Sequence, residues 1–141
     1  MPLDGTSISS QVREIAKLLA ATPDAKAFAA SLGEIQKDRP GGEIVVRPRA
    51  REFESALVTR QHQSHLVAGV ELKLAKTADV GVLSGLGTFS EGVRVSWNSP
   101  RVLDADRPLI DEVAVQIVVY AQIDDEHADH VLSISLRRDA K

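Results

Sequence analysis

The sequence predicts an α+β domain in which a pair of N-terminal helices packs on a mainly antiparallel sheet of about five or six strands that ends in a C-terminal β-hairpin. Two observations predict this class. Apolar residues recur every three or four positions up to residue 35 and every second position after residue 43. The segment 111–138 contains two alternating stretches joined by the acidic turn DDEHAD, which is typical of a hairpin. We therefore expect a single domain over residues 1–141, with a helical segment at 1–40 and the sheet at 43–138.

Two helices are predicted before residue 40. The first has an apolar stripe along one face, formed by Ile8, Val12, Ile15, Leu18 and Leu19. Ser7 precedes this stripe as a candidate N-cap. The sequence Thr22-Pro23-Asp24 then separates the helices, because Thr suits an N-cap, Pro a first turn and Asp the positive end of a helix dipole. The second helix has a stripe formed by Ala25, Phe28, Ala29, Leu32 and Ile35. The breaker sequence DRPGG follows it.

Alternating apolar residues predict strands at 66–74 and 93–97 in the middle of the chain. The segment between them, 80–89, is apolar but rich in glycine, so we expect a bent or bulged strand there. Residues 99–108 have a proline near each end and are predicted to form a loop. Residues 48–63 fit either a helix or a strand that pairs with 66–74. We favour the strand, and both interpretations remain open.

The closing hairpin has two faces of different character. On its first strand a run of apolar residues faces the core, formed by Val113, Val115, Ile117, Val119, Ala121 and Ile123. His130 is in phase with the apolar residues of the second strand, so we expect it to begin the buried face. The opposite face is also partly apolar, and large apolar patches usually mark interfaces. Val118, Tyr120 and Val131 are therefore the candidate interface residues.

Composition restricts the partners and the location of the protein. The net charge of −3 does not favour binding to nucleic acid or anionic lipid, because both attract an excess of Lys and Arg. The chain has no cysteine, so it forms neither disulfides nor thiolate metal sites. It has no signal-peptide pattern and no apolar run of about 20 residues, the length that spans a membrane. These features predict a cytoplasmic protein that contacts no membrane.

Three arginines alternate at Arg47, Arg49 and Arg51. On an extended strand they would project from one side and could bind phosphates or carboxylates, which makes them the candidate anion-binding residues. Pro48 cannot donate to a sheet ladder, so it marks an edge strand or a strand end, where exposed charge also prevents aggregation. Both interpretations remain open. Glutamates on each side of the row make nucleic acid a poor ligand for it.

The four histidines form two pairs with the same spacing, His62 with His65 and His127 with His130. Histidine is a common metal ligand, and the acidic turn around the second pair could supply carboxylates. Residues three apart on a strand face opposite sides, so a pair can share an ion only where the chain turns. The sequence predicts neither a metal site nor a cofactor, and His127 and His130 are the only metal-ligand candidates that we retain.

Motifs for catalysis and nucleotide binding are absent from the sequence. The glycine-rich run at 84–93 lacks the pattern G-x-x-x-x-G-K-[ST], and neither G-x-S-x-G nor H-E-x-x-H occurs. Adjacent acids such as Asp111 and Glu112 could transfer protons only if one of them were desolvated. We therefore name no catalytic residue and do not predict an enzyme.

The function expected from the sequence is a non-enzymatic protein–protein interaction or assembly module, such as an adaptor, a structural component or a chaperone. The second apolar face of the hairpin indicates that it forms a homo-oligomer or binds another protein. One alternative is a small-ligand-binding or enzymatic domain with a cavity between helices and sheet, lined by Trp97, Tyr120 and the histidines. Another alternative is anion or nucleic-acid contact through Arg47, Arg49 and Arg51.

Overall fold

The computed structural model describes residues 5–40, 42–92, 101–124, 126–127 and 129–141. The fold is α+β, as predicted. Over the described residues its antiparallel sheet has nine strands instead of about five or six, since several short strands were not expected. Within the described residues, no helix is long and apolar enough to cross a membrane.

The elements follow one another in a simple order, with the two helices first and the strands after them. The helices are α1 (Gly5–Ala21) and α2 (Ala25–Leu32). A 3₁₀ helix, Val80–Leu86, interrupts the strands. The strands are β1 (Gly33–Asp38), β2 (Ile44–Pro48), β3 (Phe53–Arg60), β4 (Val67–Asp79), β5 (Phe89–Glu91), β6 (Arg101–Ala105), β7 (Ile110–Asp111), β8 (Val115–Ile123) and β9 (His130–Ala140).

Both helices form where the apolar stripes predicted them, but their first residues differ from the prediction. α1 begins at Gly5, so the predicted N-cap, Ser7, lies inside the helix. Asp24, and not Thr22, caps α2, because its carboxylate accepts a hydrogen bond from the Ala27 amide at 2.9 Å. This bond satisfies one of the amides that a helix leaves without a partner at its N-terminal end.

α2 ends at Leu32, and the predicted stripe residue Ile35 lies in β1 instead. Gly33 has an extended conformation with a φ of 168°. A Cβ at this position would overlap the carbonyl oxygen of Arg47, so only glycine lets β2 pass this close to the end of the helix. The chain therefore leaves α2 directly into a strand that pairs with β2.

The strands lie in the order β1-β2-β3-β4-β9-β8-β6-β5, and β7 also pairs with β8. Every pairing between these strands is antiparallel. Residues 53–60 form β3 and pair with β4, so the favoured strand interpretation of 48–63 is confirmed over these residues.

Two rows of buried apolar residues cross the sheet and form its core face. The first row is Ile44, Val58, Val70, Leu136 and Val119. The second row is Val46, Ala56, Leu72, Ile134 and Ala121. α1 and α2 pack in the same core through Val12, Leu19 and Phe28, which are fully buried. Each of these larger side chains contributes about 1.5–3 kcal/mol by leaving water.

Two arginines form hydrogen bonds that link the C-terminal ends of the helices to the sheet. Arg138 of β9 donates to the carbonyls of Leu19 and Ala20 at 3.1 and 3.4 Å. Arg49, which follows β2, donates to the Ser31 carbonyl at 2.8 Å. The last carbonyls of a helix have no donor within the helix, so these bonds satisfy groups that would otherwise depend on water.

The glycine-rich segment forms a 3₁₀ helix, so the prediction of a bent or bulged strand is wrong. Its apolar residues Val82, Leu83 and Leu86 are buried in the common core. The Asp79 carboxylate begins the helix by accepting a hydrogen bond from the Gly81 amide at 2.8 Å. The apolar residues that suggested a strand are instead gathered on one side of a short helix that packs against α1.

Two predictions concern the chain after β5. The strand predicted at 93–97 lies outside the described residues. The loop predicted at 99–108 is wrong over 101–105, which form β6 and pair with β8. This strand alternates over only a few residues and contains Asp104, so its sequence pattern is short and polar.

The predicted alternation along β8 is confirmed, since every second residue from Val115 to Ile123 is buried. Val113 was expected to face the core with them, and this is wrong. It precedes the strand and is 97% exposed. The chain turns at this point, with the Glu112 amide donating to the Val115 carbonyl at 2.9 Å, so Val113 lies at the tip of the turn.

A β-bulge near the last turn changes the phase of β9. Ile123 pairs with Val131, and the preceding residue of β8 pairs with Ser133. Leu132 is left as an extra residue, which reverses the sides on which its neighbours lie. Val131 therefore faces the core and is fully buried, so its prediction on the opposite face is wrong. His130 is only half-buried, so the prediction that it begins the buried face is also wrong.

Candidate functional site

The side of the sheet that faces away from the helices, which we call the outer face, has a continuous central row. This row contains Val45, Leu57, Glu71, Ser135, Tyr120, Asp104 and Ser90. It lies between the two core rows, because neighbouring residues of a strand point to opposite sides. Val45, Leu57 and Val118 are half-buried on the outer face and lie outside the core on which the helices pack.

Three side chains form a compact group on the outer face, which we call the arginine cluster: Tyr120, Arg137 and Asp139. The Arg137 guanidinium lies 5.2 Å from the centre of the Tyr120 ring, within the range of a cation–π contact. Its Nε and Nη2 donate to the two carboxylate oxygens of Asp139, each at 2.9 Å. Such a bidentate pair fixes geometry more firmly than a single hydrogen bond. Gln116 lies opposite Asp139 in the pairing of β8 with β9.

The surroundings of the arginine cluster favour the charged forms of Arg137 and Asp139 and the neutral form of the Tyr120 phenol. Hydrogen bonds from Arg137 lower the pKa of the Asp139 carboxyl below its ordinary value. The hydrogen bond to Asp139 raises the pKa of the Arg137 guanidinium. Burial raises the pKa of the Tyr120 phenol, so this side chain keeps its proton near neutral pH.

Charges of both signs are distributed over the outer face. The acidic residues on its strands include Glu71, Asp104 and Asp139, and the basic ones Arg47, Lys73 and Arg137. These six side chains carry no net charge. Lys73 also forms an ion pair with Glu54 at 3.3 Å.

The structure places two of the three predicted interface residues, Val118 and Tyr120, on the outer face. The third, Val131, lies in the core because of the bulge in β9. Sequence reasoning missed Arg137 and Asp139. Their spacing of two residues on a strand places both on one face, and this signal could have identified the pair.

The structure does not bring the three predicted anion-binding arginines together. Arg47 is exposed on the outer face, whereas Arg49 reaches the C-terminal end of α2 on the helix side. Arg51 lies in the turn between β2 and β3. The row is broken because β2 ends at Pro48, after which the chain no longer alternates. β2 is also not an edge strand, since β1 pairs with its other side.

The two histidine pairs lie at opposite ends of β4, the first in a turn and the second where a turn meets β9. His62 and His65 are exposed between β3 and β4. The rings of His127, in the turn after β8, and His130, the first residue of β9, lie 5.3 Å apart. Across the described residues, no group of three or more His, Cys, Asp or Glu side chains could hold a metal ion.

Open grooves are found where α1 meets the 3₁₀ helix. Two of them have volumes of about 380 and 390 Å³, and Arg13 lines both. Arg13 donates a hydrogen bond to the carbonyl of Gly85, which joins α1 to the 3₁₀ helix. The cavity lining predicted from the sequence is not assembled here, because Tyr120 faces the other side of the sheet and no histidine lines either groove. Trp97 lies outside the described residues.

Comparisons with protein-family models, with curated proteins and with solved structures find no match to this chain. The functional interpretation therefore depends on the geometry of the outer face and of the grooves.

Proposed function

We propose that the chain is a non-enzymatic, self-associating interaction module, and that a second copy of the chain covers its outer face. The observation that carries this proposal is the arginine cluster. It places Tyr120 and Arg137 among half-buried apolar residues, on a face that neither α1 nor α2 covers. Antiparallel sheets with one uncovered face usually present polar residues to water, so Val45, Leu57 and Val118 favour a covered face.

The cluster has the properties of a binding centre at a protein interface. Tyrosine and arginine are among the residues that contribute most to binding energy at interfaces. In the free chain, the contact with the Tyr120 ring and the bidentate hydrogen bonds to Asp139 already hold the Arg137 guanidinium in one geometry. Because ordering a long side chain on binding costs about 0.5–1.5 kcal/mol, a cluster that is ordered beforehand loses less affinity.

The balance of charge supports a second copy as the partner. A face on which acidic and basic groups are interspersed can place each sign against its opposite on an identical face related by a two-fold axis. Nucleic acid or anionic lipid would require an excess of basic residues, which Glu71, Asp104 and Asp139 offset on this face.

The edge strand β1 is protected against pairing with a strand of another copy, which favours association through the face of the sheet over association at this edge. Its pairing with β2 contains a bulge between Ile35 and Lys37. Glu34, Lys37 and Asp38 are exposed along it. Bulges and charges on an edge strand prevent another strand from pairing with it.

The test replaces Val118 with glutamate and measures association by sedimentation velocity over a range of concentrations. Val118 lies opposite Arg137 in the pairing of β8 with β9, so the new carboxylate can meet the guanidinium in the free chain and folding is preserved. A second copy would have to desolvate this carboxylate, and burying an incompletely paired ion costs several kcal/mol. We therefore expect association to weaken by at least about tenfold, which corresponds to about 1.4 kcal/mol.

Val113→Glu is the matched control, because it makes the same change of charge at a fully exposed residue outside the outer face. This variant should associate as the wild type does. A wild-type chain that sediments as a monomer at every concentration would overturn the proposal. Equal weakening by Val118→Glu and Val113→Glu would also overturn it.

Self-association through a sheet face suits a structural or assembly component. In an adaptor or a chaperone, a different protein would take the place of the second copy on this face. The absence of cysteine supports a cytoplasmic location for such a module.

A further inference from the structure

A second surface, on the helix side of the sheet, has the features of a small-ligand site. It is the groove beside the C-terminal end of the 3₁₀ helix, which we call the basic groove. Its volume is about 390 Å³, and pockets for small ligands measure roughly 300–1,000 Å³. The groove is open to solvent, and Arg13, Arg107, Thr88 and Asp106 supply its charged and hydroxyl side chains.

The charge of the basic groove favours an anion. Arg13 enters it from α1, and Arg107 enters it from the segment after β6. Arg13 uses one N–H to bind the Gly85 carbonyl, and a guanidinium has five such donors, so others remain for a ligand. Arg107 is exposed, and within the described part of the chain it forms no hydrogen bond or ion pair. Asp106 is the one carboxylate among the lining residues that the structure describes.

Backbone contacts hold the walls of the groove in place. The Asp106 amide donates to the Thr88 carbonyl at 2.9 Å, and the Leu109 amide donates to the Ile117 carbonyl at 2.8 Å. Gly87 links the 3₁₀ helix to this wall with a φ of +134°, a conformation that favours glycine. A groove whose walls are already ordered loses little affinity to rearrangement when a ligand binds.

The groove also has an apolar side, formed by the half-buried residues Pro108 and Leu109. An inorganic ion alone would leave this surface without a contact. An organic anion could place its charged group on the arginines and its carbon skeleton on the apolar side, which is the usual division of contacts in small-molecule sites.

We propose that the basic groove binds a small organic anion whose carboxylate or phosphate group lies between Arg13 and Arg107. Guanidinium groups bind both kinds of oxyanion through paired N–H donors. Asp106 repels the same group and thereby limits the negative charge that the site accepts. The basic groove lies on the helix side of the sheet, so this site and the self-association of the outer face are independent of each other.

The test titrates the full chain with phenyl phosphate and with benzoate at constant ionic strength, following backbone amide shifts by nuclear magnetic resonance. These probes combine an oxyanion with an apolar ring. We expect saturable shifts at Thr88 and Arg107 with at least one probe. Arg107→Ala should weaken binding by at least about tenfold, the loss expected for a charge-assisted hydrogen bond. Asp106→Asn should strengthen binding severalfold, because it removes the repelling carboxylate.

Arg51→Ala is the matched control, because it removes an exposed arginine from a turn outside the groove. It should leave the affinity unchanged. The proposal is overturned if neither probe produces saturable shifts, or if Arg51→Ala weakens binding as much as Arg107→Ala does. Weaker binding by Asp106→Asn would also overturn it. A failure of this kind leaves the sedimentation test of the outer face unaffected.

Discussion

Replacing Gly85 with alanine should destabilise the chain, because α1 and the 3₁₀ helix are packed too closely there to admit a Cβ. The new Cβ would lie 2.7 Å from Ser9 Oγ and 2.9 Å from Ser9 Cβ. Both distances are below 3.0 Å, and real Cβ atoms essentially never make contacts that short. Ser9 has little freedom to move away. It is buried, and its hydroxyl donates to the Val82 carbonyl at 2.9 Å.

The magnitude follows from these two contacts. Forcing an extra carbon into a packed interior costs about 1–3 kcal/mol. Rotating Ser9 out of the way would break its hydrogen bond to Val82, which costs about 1 kcal/mol more. We therefore expect Gly85→Ala to lower the free energy of unfolding by about 2–4 kcal/mol in total.

Urea unfolding followed by circular dichroism measures this loss. The double variant Ser9→Ala/Gly85→Ala removes the closer of the two contacts, so it should show a coupling energy between the sites. Gly42→Ala is the matched control, because its Cβ would meet Arg39 at an ordinary distance of 3.4 Å. If Gly85→Ala were as stable as Gly42→Ala, the described packing of the 3₁₀ helix on α1 would be refuted.

Two further predictions concern β9. Arg138→Met keeps the apolar stem but removes the hydrogen bonds to the Leu19 and Ala20 carbonyls. Urea unfolding should therefore show that the free energy of unfolding falls by about 1–2 kcal/mol. An unchanged unfolding midpoint would contradict the capping role of Arg138. Asp139→Asn should cost about 0.2–1 kcal/mol at neutral pH, since the pair with Arg137 is partly exposed. Because the pKa of Asp139 is lowered in the folded chain, its contribution is present above its ordinary pKa and is lost as the pH falls through the folded value. Unfolding midpoints of wild type and variant should therefore converge in acid, and a gap that does not shrink there would contradict the assignment.

Elements with a long, regular pattern were predictable from the sequence. The stripe of α1, the stripe of α2 up to Leu32, and the alternation of β8 and of residues 70–74 in β4 each match the side that the core buries. Local preference and tertiary packing agree in these segments, so a pattern read from the sequence alone was sufficient.

The remaining elements depend on contacts between distant parts of the chain. α2 gives way to β1 at Gly33, where β2 passes too close for a Cβ, and no local pattern indicates this contact. One extra residue, Leu132, moves Val131 from the outer face to the core. Arg49 does not project beside Arg47 as predicted, because its guanidinium donates hydrogen bonds to carbonyls at the C-terminal end of α2.

The candidate sites were only partly predictable for the same reason. Val118 and Tyr120 follow from alternation on β8, and Arg137 could have been added from its spacing to Asp139. The basic groove could not be predicted, because Arg13 and Arg107 are far apart in the sequence and meet only through the packing of α1 beside the 3₁₀ helix.

The central claim is that a second copy covers the outer face, and the most direct measurement is the rate at which tetranitromethane nitrates Tyr120 as the protein concentration rises. Tyr120 is the only tyrosine and the chain has no cysteine, so the mass gained by nitration reports on the outer face. The reagent is kept at one concentration, well above that of the protein. We predict that the nitration rate constant of the wild type falls as the protein concentration rises. The rate constant of Val118→Glu should stay at the value of the dilute protein. A wild-type rate that does not change with concentration would contradict the claim.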